Sequence, residues 1–261
     1  MAAHPLRAIP VDRVWGRHDL PPGFARPPGD APIGEIWFEA PDGAALLVKY
    51  LFTSDRLSIQ VHPDDEAARA RGLPFGKDEA WFVVDAEPGA AIGLGLTHEV
   101  SREALRLAAL DGGIEALLDW RPVAKGDFFY SPAGTIHAIG GGIALIEIQQ
   151  NLDLTYRLYD YGRPRALHVD EAVAVATPGP WSPPCAPARA GPGRQILATG
   201  GAFALERWTA GGELSGEAVV VPIISGGTID GESLASGSAW SVEGSSVIAG
   251  DCIDLLVAFP S

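Results

Sequence analysis

Residues 126–140 read GDFFYSPAGTIHAIG, with Gly126, Pro132, Gly134 and His137 spaced as G-x5-P-x-G-x2-H. Proline presets one backbone angle and glycine tolerates the left-handed region, so the pair specifies a tight reversal between antiparallel strands. The histidine then opens the returning strand and faces inward. A second histidine, His62, also ends a strand against turn residues, in SIQVHPDD (58–65). There Ile59 and Val61 point to one face, and Ser58, Gln60 and His62 to the other. Two residues apart on one strand, Gln60 and His62 share a face, as chelation of one ion requires. Lys77, Glu79 and Trp81 in GKDEAWFVV repeat that alternation.

Working outward, short segments rich in β-formers dominate: 34–40, 45–52, 57–61, 79–86, 127–134 and 143–150 read as strands. SREALRLAAL (101–110) reads as a helix capped by Ser101, IEALLDW follows it after a Gly-Gly break, and HVDEAVAVA (168–176) reads as a second helix. TPGPWSPPCAPARAGPGR (177–194) holds too much proline and glycine for regular structure and reads as a linker. Beyond it, 195–261 reads as a smaller β unit. It has no histidine, so a metal site there is not expected. The predicted class is mainly all-β: two jelly-roll barrels with a small helical insertion at about 101–119.

The run IEIQQNLDLTYRLYDYGR places Glu147, Gln149, Asn151, Asp153, Thr155 and Arg157 at alternate positions. It is too long for one ordinary strand and is expected to bend near Asn151–Asp153. If pairing resumes in phase, one face carries a polar series ending in Arg157. The bland alternative is an exposed edge with polar side chains in water. His4 and His18, in a proline-rich and mobile start, together with His98 and His168, read as surface or packing histidines.

A formal net charge of −14 argues against nucleic acid or an anionic membrane as partner. An anionic substrate would need a site that is a local positive exception. The two cysteines, Cys185 and Cys252, are too few and too far apart for a disulfide framework or a CxxC zinc site, and read as ordinary thiols. No apolar run reaches the roughly 18 residues of a membrane span, and no secretory signal is visible at the start. A cytoplasmic protein, monomeric or weakly dimeric, is expected.

The turn around His137 resembles the second motif of the cupin superfamily, with Gly141 where an asparagine is usual. In that superfamily the histidine is a metal ligand. The first motif ordinarily carries His-x-His and a later glutamate; here Gln60-Val61-His62 and Glu79 stand in those places. A glutamine oxygen, two imidazoles and a carboxylate form a mixed set that suits zinc, with manganese, iron or cobalt as other fits. Its ligand charge of −1 would leave a divalent ion's site positive.

The order of Trp15-Gly16, GEIW (34–37), LLVKYL (46–51), SIQVHPDD, GKDEAW (76–81), PAGTIHAIG (132–140) and QNLDLTYRLYD (150–160) resembles that of the class I mannose-6-phosphate isomerases, in their short bacterial form. The resemblance covers roughly residues 11–176. It implies interconversion of D-mannose 6-phosphate and D-fructose 6-phosphate through an enediol(ate), with one Zn2+ per chain and a phosphosugar as the small-molecule substrate. Carried over position by position, the metal ligands fall on Gln60, His62, Glu79 and His137, and the catalytic arginine on Arg157. Lys77 and Asp153 fall at active-site positions, with Asp153 expected on the same strand face as Arg157. The base stays open among Asp153, Lys77 with a lowered pKa, and water on the metal, since arginine remains protonated. Lys77 is also a candidate for the phosphate, with Arg163 or Arg165. Some longer relatives have a histidine where this chain has Gly76. The competing readings are a cupin dioxygenase using iron, a non-enzymatic sugar-binding cupin, and an isomerase of another aldose.

Overall fold

A computed structural model describes residues 2–21, 23–24, 29–184 and 188–261, so Cys185 lies outside the described residues. The first part runs β1 (Ala3–Pro5), β2 (Ala8–Arg17), β3 (Ile33–Phe38), β4 (Leu46–Thr53), β5 (Ile59–Val61) and helix α1 (Asp65–Arg69). Next come β6 (Glu79–Ala86), β7 (Ala91–Leu96), α2 (Arg102–Asp111), α3 (Ile114–Leu117), β8 (Leu118–Pro122), β9 (Phe128–Ser131), β10 (His137–Ile139), β11 (Ile143–Gln150), β12 (Tyr156–Tyr159) and α4 (Val169–Val175). The remaining strands are β13 (Ala188–Gly191), β14 (Arg194–Thr199), β15 (Phe203–Trp208), β16 (Gly212–Pro222), β17 (Thr228–Ile229), β18 (Glu232–Ser233), β19 (Trp240–Ala249) and β20 (Leu255–Pro260).

Three antiparallel sheets result. A six-stranded sheet has the order β2-β3-β4-β11-β6-β9, and a five-stranded sheet the order β12-β5-β10-β7-β8. The third, nine-stranded, is built from β13–β20, with β1 paired to β19. The six- and five-stranded sheets form a mainly β, jelly-roll sandwich, and its two outer faces are covered differently. On the six-stranded sheet, Tyr50, Phe52, Ile146 and Ile148 pack against Leu205, Val221 and Leu256 of the third sheet. On the five-stranded sheet, Ile59, Val61, Ala138 and Leu158 pack against Leu105 of α2, Ile114 of α3 and Ala172 of α4. Strands β4 and β11 are consequently buried at every residue. A strand covered on both sides does not need a wet face, which leaves its inward positions free for polar groups.

Several elements depart from the sequence expectations. The start of the chain, expected to be mobile, supplies β1 and the ten-residue β2. IEALLDW is helical only through Leu117; Asp119 and Trp120 join β8, which pairs with β7. Helix α1 was not foreseen, although Asp64 caps it by accepting a hydrogen bond from the Ala67 amide at 2.8 Å. Within the expected linker, residues 188–191 form β13, and the Trp181 indole donates to the Tyr130 carbonyl at 2.9 Å.

Near its end β2 bulges: Asp12 and Arg17 both face Ile33, so residues 13–16 arch away from the ladder. Gly16 and Gly34 permit this close approach. A Cβ at Gly34 would lie 2.4 Å from Arg13 Cβ and 2.9 Å from the Trp15 ring. Gly34→Ala is expected to cost about 1–3 kcal/mol by overpacking, whereas Gly191→Ala, with nothing within 4 Å, should stay within about 0.5 kcal/mol. Urea unfolding of both variants checks this, and equal stabilities would refute the packing account.

Candidate metal centre and active-site cleft

The site lies where one cross-strand row of the five-stranded sheet meets two rows of the six-stranded sheet. In the first, His137 of β10 faces Gln60 of β5, which faces Arg157 of β12. Opposite, Gln149 of β11 is in register with Glu79 of β6, and the next row reads Trp37, Lys49, Glu147, Trp81. Alternation in each strand thus aims these polar side chains into the sandwich.

Two imidazoles converge on the Glu79 carboxylate: His62 Nε2 is 3.2 Å from Oε1 and His137 Nε2 is 3.4 Å from Oε2. All three side chains are about 98% buried or more. His62 Nδ1 donates to the Leu154 carbonyl at 2.8 Å, and His137 Nδ1 to the Thr135 carbonyl at 2.9 Å. Those carbonyls fix the tautomer, so each Nε2 presents a lone pair to the centre. Gln60 adjoins them, its amide nitrogen 3.2 Å from His137 Nε2 and its oxygen accepting from Ser58 Oγ at 3.1 Å.

Electrostatics follow from burial. Burial, and then the Lys77 charge, push His62 down to about 4, and burial also lowers His137. Burial alone would raise Glu79, but Lys77, 2.9 Å away, and His62 outweigh it and hold the carboxylate well below its usual range. Burial likewise opposes the charge of Lys77, yet Glu79 and Glu147 keep that ammonium above its ordinary value. In the metal-free protein these surroundings favour the protonated form of Lys77. Glu147 is pushed up by burial and by the charge of Glu79.

Despite these ion pairs, His62 Nε2 and both Glu79 oxygens are buried with no hydrogen-bond partner. Such orphaned groups are costly unless something else coordinates them. The donor atoms of His62, Glu79 and His137 lie within 4.8 Å of one another, so this centre could hold a metal ion.

Beside the centre opens a cleft of about 310 Å³. Its lining includes the cations Arg13, Lys49, Lys77, Arg157 and Arg165 and the acids Glu35, Glu79, Glu147 and Asp153. Lys49 bonds Gln149 Oε1 at 2.7 Å, lies 3.3 Å from Glu147 and sits 4.3 Å over the Trp37 ring. Glu147 also accepts from the Trp81 indole at 3.1 Å, and Arg13 binds Glu35 at 2.6 Å. Arg157 differs: its Nε is buried without an acceptor, and burial followed by the Arg165 charge lowers its pKa.

The sequence-expected residues Gln60, Lys77, Glu79, Asp153 and Arg157 all line this cleft, with His62 and His137 behind Glu79. The polar run bends as expected, with β11 ending at Gln150 and β12 starting at Tyr156 in the opposite sheet. Asp153 is therefore exposed in the crossover rather than on a strand face shared with Arg157. His168, read as a surface or packing residue, accepts from the Arg157 amide through Nδ1 at 3.2 Å. Lys49, Glu35 and Arg13 escaped notice as site residues, although their alternation with apolar neighbours in β2–β4 carried the signal.

Comparison with known proteins finds similarity in both sequence and fold. A mannose-6-phosphate isomerase from Streptococcus mutans is 47% identical over 141 residues, 51% of this chain and 44% of that protein. A probable mannose-6-phosphate isomerase from Bacillus subtilis is 37% identical over 180 residues, 66% of this chain and 52% of that one. The chain thus aligns with about half the length of these curated relatives. The solved mannose 6-phosphate isomerase of Bacillus subtilis superposes with a TM-score of 0.86 at 26% identity, covering 99% of this chain and all of that one. No family model matches. The chain is similar in sequence and fold to mannose-6-phosphate isomerases.

Against that family's longer members, Gly76 is the departure noted in the sequence. Its backbone packs on the turn after His62, and a Cβ there would lie 2.6 Å from the Pro63 carbonyl oxygen. A histidine has no room at this position, so any role it has in those relatives is absent here or served otherwise.

A divalent cation should bind once per chain, and Glu79→Gln should weaken it by at least about 100-fold, at or beyond the upper end of losses seen for outer-shell changes. Equilibrium dialysis with metal analysis measures this; undiminished binding would remove Glu79 from the ligand set. Without metal, the lowered pKa of His62 makes the unfolded chain bind the extra proton. The stability His62 contributes is complete above about 6.5 and lost as pH falls towards about 4. On the order of 3 kcal/mol is at stake, and His62→Gln should flatten the urea-unfolding profile across that window.

Proposed function

We propose that the chain is a zinc-dependent aldose–ketose isomerase that interconverts D-mannose 6-phosphate and D-fructose 6-phosphate. The observation that carries this reading is the pairing of a convergent, hydrogen-bond-deficient His62–Glu79–His137 centre with an uncommitted Arg157 across one cleft. The named relatives supply the substrate. Two imidazoles and a carboxylate suit zinc, and Gln60, whose amide nitrogen faces His137, would add its oxygen after a flip of the side-chain amide. When bound, the ion supplies Lewis-acid polarisation of the sugar carbonyl.

The chain's own residues then have distinct tasks. Proton transfer between C2 and C1 builds negative charge on the oxygens of an enediolate. Arg157, opposite Gln60 in the ladder, is placed to receive that charge through its guanidinium, whose Nε has no partner. Lys77, protonated and fixed by Glu79, donates to a substrate oxygen. Glu147 is the best placed proton carrier: it is buried, aimed into the cleft and held above its ordinary pKa. Asp153, exposed in the crossover, binds sugar hydroxyls at the mouth. Arg165 lines the cleft and grips the phosphate, whereas Arg163 is occupied elsewhere. We assign residues 195–261 the role of packing the back of the six-stranded sheet.

A coupled assay on mannose 6-phosphate, run on metal-free protein and after zinc is restored, tests this. Activity should appear only with zinc, and Arg157→Ala should lower kcat by at least about 100-fold with zinc content unchanged. Absence of turnover in both conditions would overturn the assignment.

A further inference from the structure

We propose that Asp160 is a positioning residue for phosphate recognition, a buried carboxylate that holds the Arg165 fork in the cleft beside Arg157. The inference rests on the phosphosugar reading above. Asp160 directly follows β12, and its side chain is only 1% exposed. It accepts two bonds from one edge of Arg165, from Nε at 2.6 Å and from Nη2 at 2.7 Å. Arg163 Nη1 adds a third at 3.1 Å.

The two arginines differ in what they have left. Arg163 Nη2 is committed to the Asp55 carboxylate and to the Arg56 carbonyl at 2.9 Å. It braces the turn and does not line the cleft. Arg165 uses one edge on Asp160, so the Nη1 protons and one Nη2 proton remain for an anion. No other partner of its guanidinium is seen among the described residues, and about 30% of its side chain is exposed. Arg157, whose buried Nε is unpaired, lines the same cleft.

Two guanidinium groups facing one cleft repel, and a free arginine gains roughly 2 kcal/mol of rotamer entropy by leaving for water. A buried side-on carboxylate opposes both tendencies, because bidentate pairing fixes direction as well as charge. Arg163 on the same carboxylate keeps Asp160 from simply neutralising Arg165. The outcome is a pair of aimed donors in a chain whose formal net charge is −14.

The test uses zinc-loaded protein with two readouts: steady-state kinetics on mannose 6-phosphate, and calorimetric titration with inorganic phosphate. Arg165→Ala should raise KM about tenfold with kcat within about threefold, the scale of one charged hydrogen-bonded contact. Asp160→Asn should do the same in direction and kind, and the double variant should be no worse than Arg165→Ala alone. Phosphate affinity should fall in parallel. Asp160→Asn with native KM and phosphate affinity would overturn the proposal, as would fully additive losses or an unaltered phosphate affinity in Arg165→Ala. Should Asp160→Asn fail to fold, Arg165→Lys keeps the charge but loses the fork, and a native KM there is equally fatal. If the wild type binds phosphate yet does not turn over mannose 6-phosphate, the isomerase reading falls while the titration still decides the role of Asp160.

Discussion

A glutamate with 1% of its side chain exposed is the constraint on which the site depends. An ionised carboxylate in a dry interior needs compensation, and Glu79 receives it from Lys77 and from two imidazoles whose tautomers are set by backbone carbonyls. That compensation is incomplete in a specific way. The Lys77 contact is an ion pair, yet both carboxylate oxygens lack a well-formed hydrogen bond, as does His62 Nε2. The deficit lies at the centre of the cluster, where a cation would satisfy all three atoms together.

Such an interior is affordable only because apolar surface is buried elsewhere. The sandwich reverses the usual polarity of a half-wet sheet: Ile59 and Val61 face helices, while Gln60 faces inward beside the buried imidazoles. On the other side, Tyr50, Ile146 and Ile148 meet the third sheet, while Lys49 and Glu147 face the cleft and the buried Gln149 binds Lys49. The outer faces supply much of the driving force, and the inner faces are shared between the polar site and an apolar cluster that includes Leu51, Val83, Ile92, Leu94 and Leu145. The third sheet and the helices are thus part of the site's energetics without touching it.

Much of this was legible because alternation and turn chemistry are local. The bounds of β6 and β11 could be read from hydrophobic pattern alone, and the Gly–Pro reversal placed His137 at the start of β10. What escaped was decided at long range. Whether polar residues on β2, β3 and β4 face water or a cleft depends on what covers the opposite face, and that cover lies as far away as Val221 and Leu256. Asp119 and Trp120 carried helix-like context from the preceding turn but were taken by the β7 edge. Asp153 followed the right period in sequence, yet the crossover between sheets broke the phase. His168 gave no local signal at all, since its task, accepting from the Arg157 amide, exists only once α4 packs beside β12.

The division of labour between rigid and irregular backbone follows from the same geometry. Most of the groups expected to meet the metal or the reacting carbons sit on paired strands: Gln60, Glu79, His137, Glu147 and Arg157 are each in register with a neighbour. His62 and Lys77, one and two residues beyond strand ends, are held by backbone bonds instead, as when the Lys77 amide donates to the Pro63 carbonyl at 3.0 Å. Groups at the mouth come from loops, which gain reach and lose precision. Asp153 is exposed in the crossover, but a second arginine facing Arg157 would leave unless restrained. Within the turn after β12, a buried carboxylate is the economical restraint, because it fixes the direction of Arg165 at the point where backbone pairing has ended.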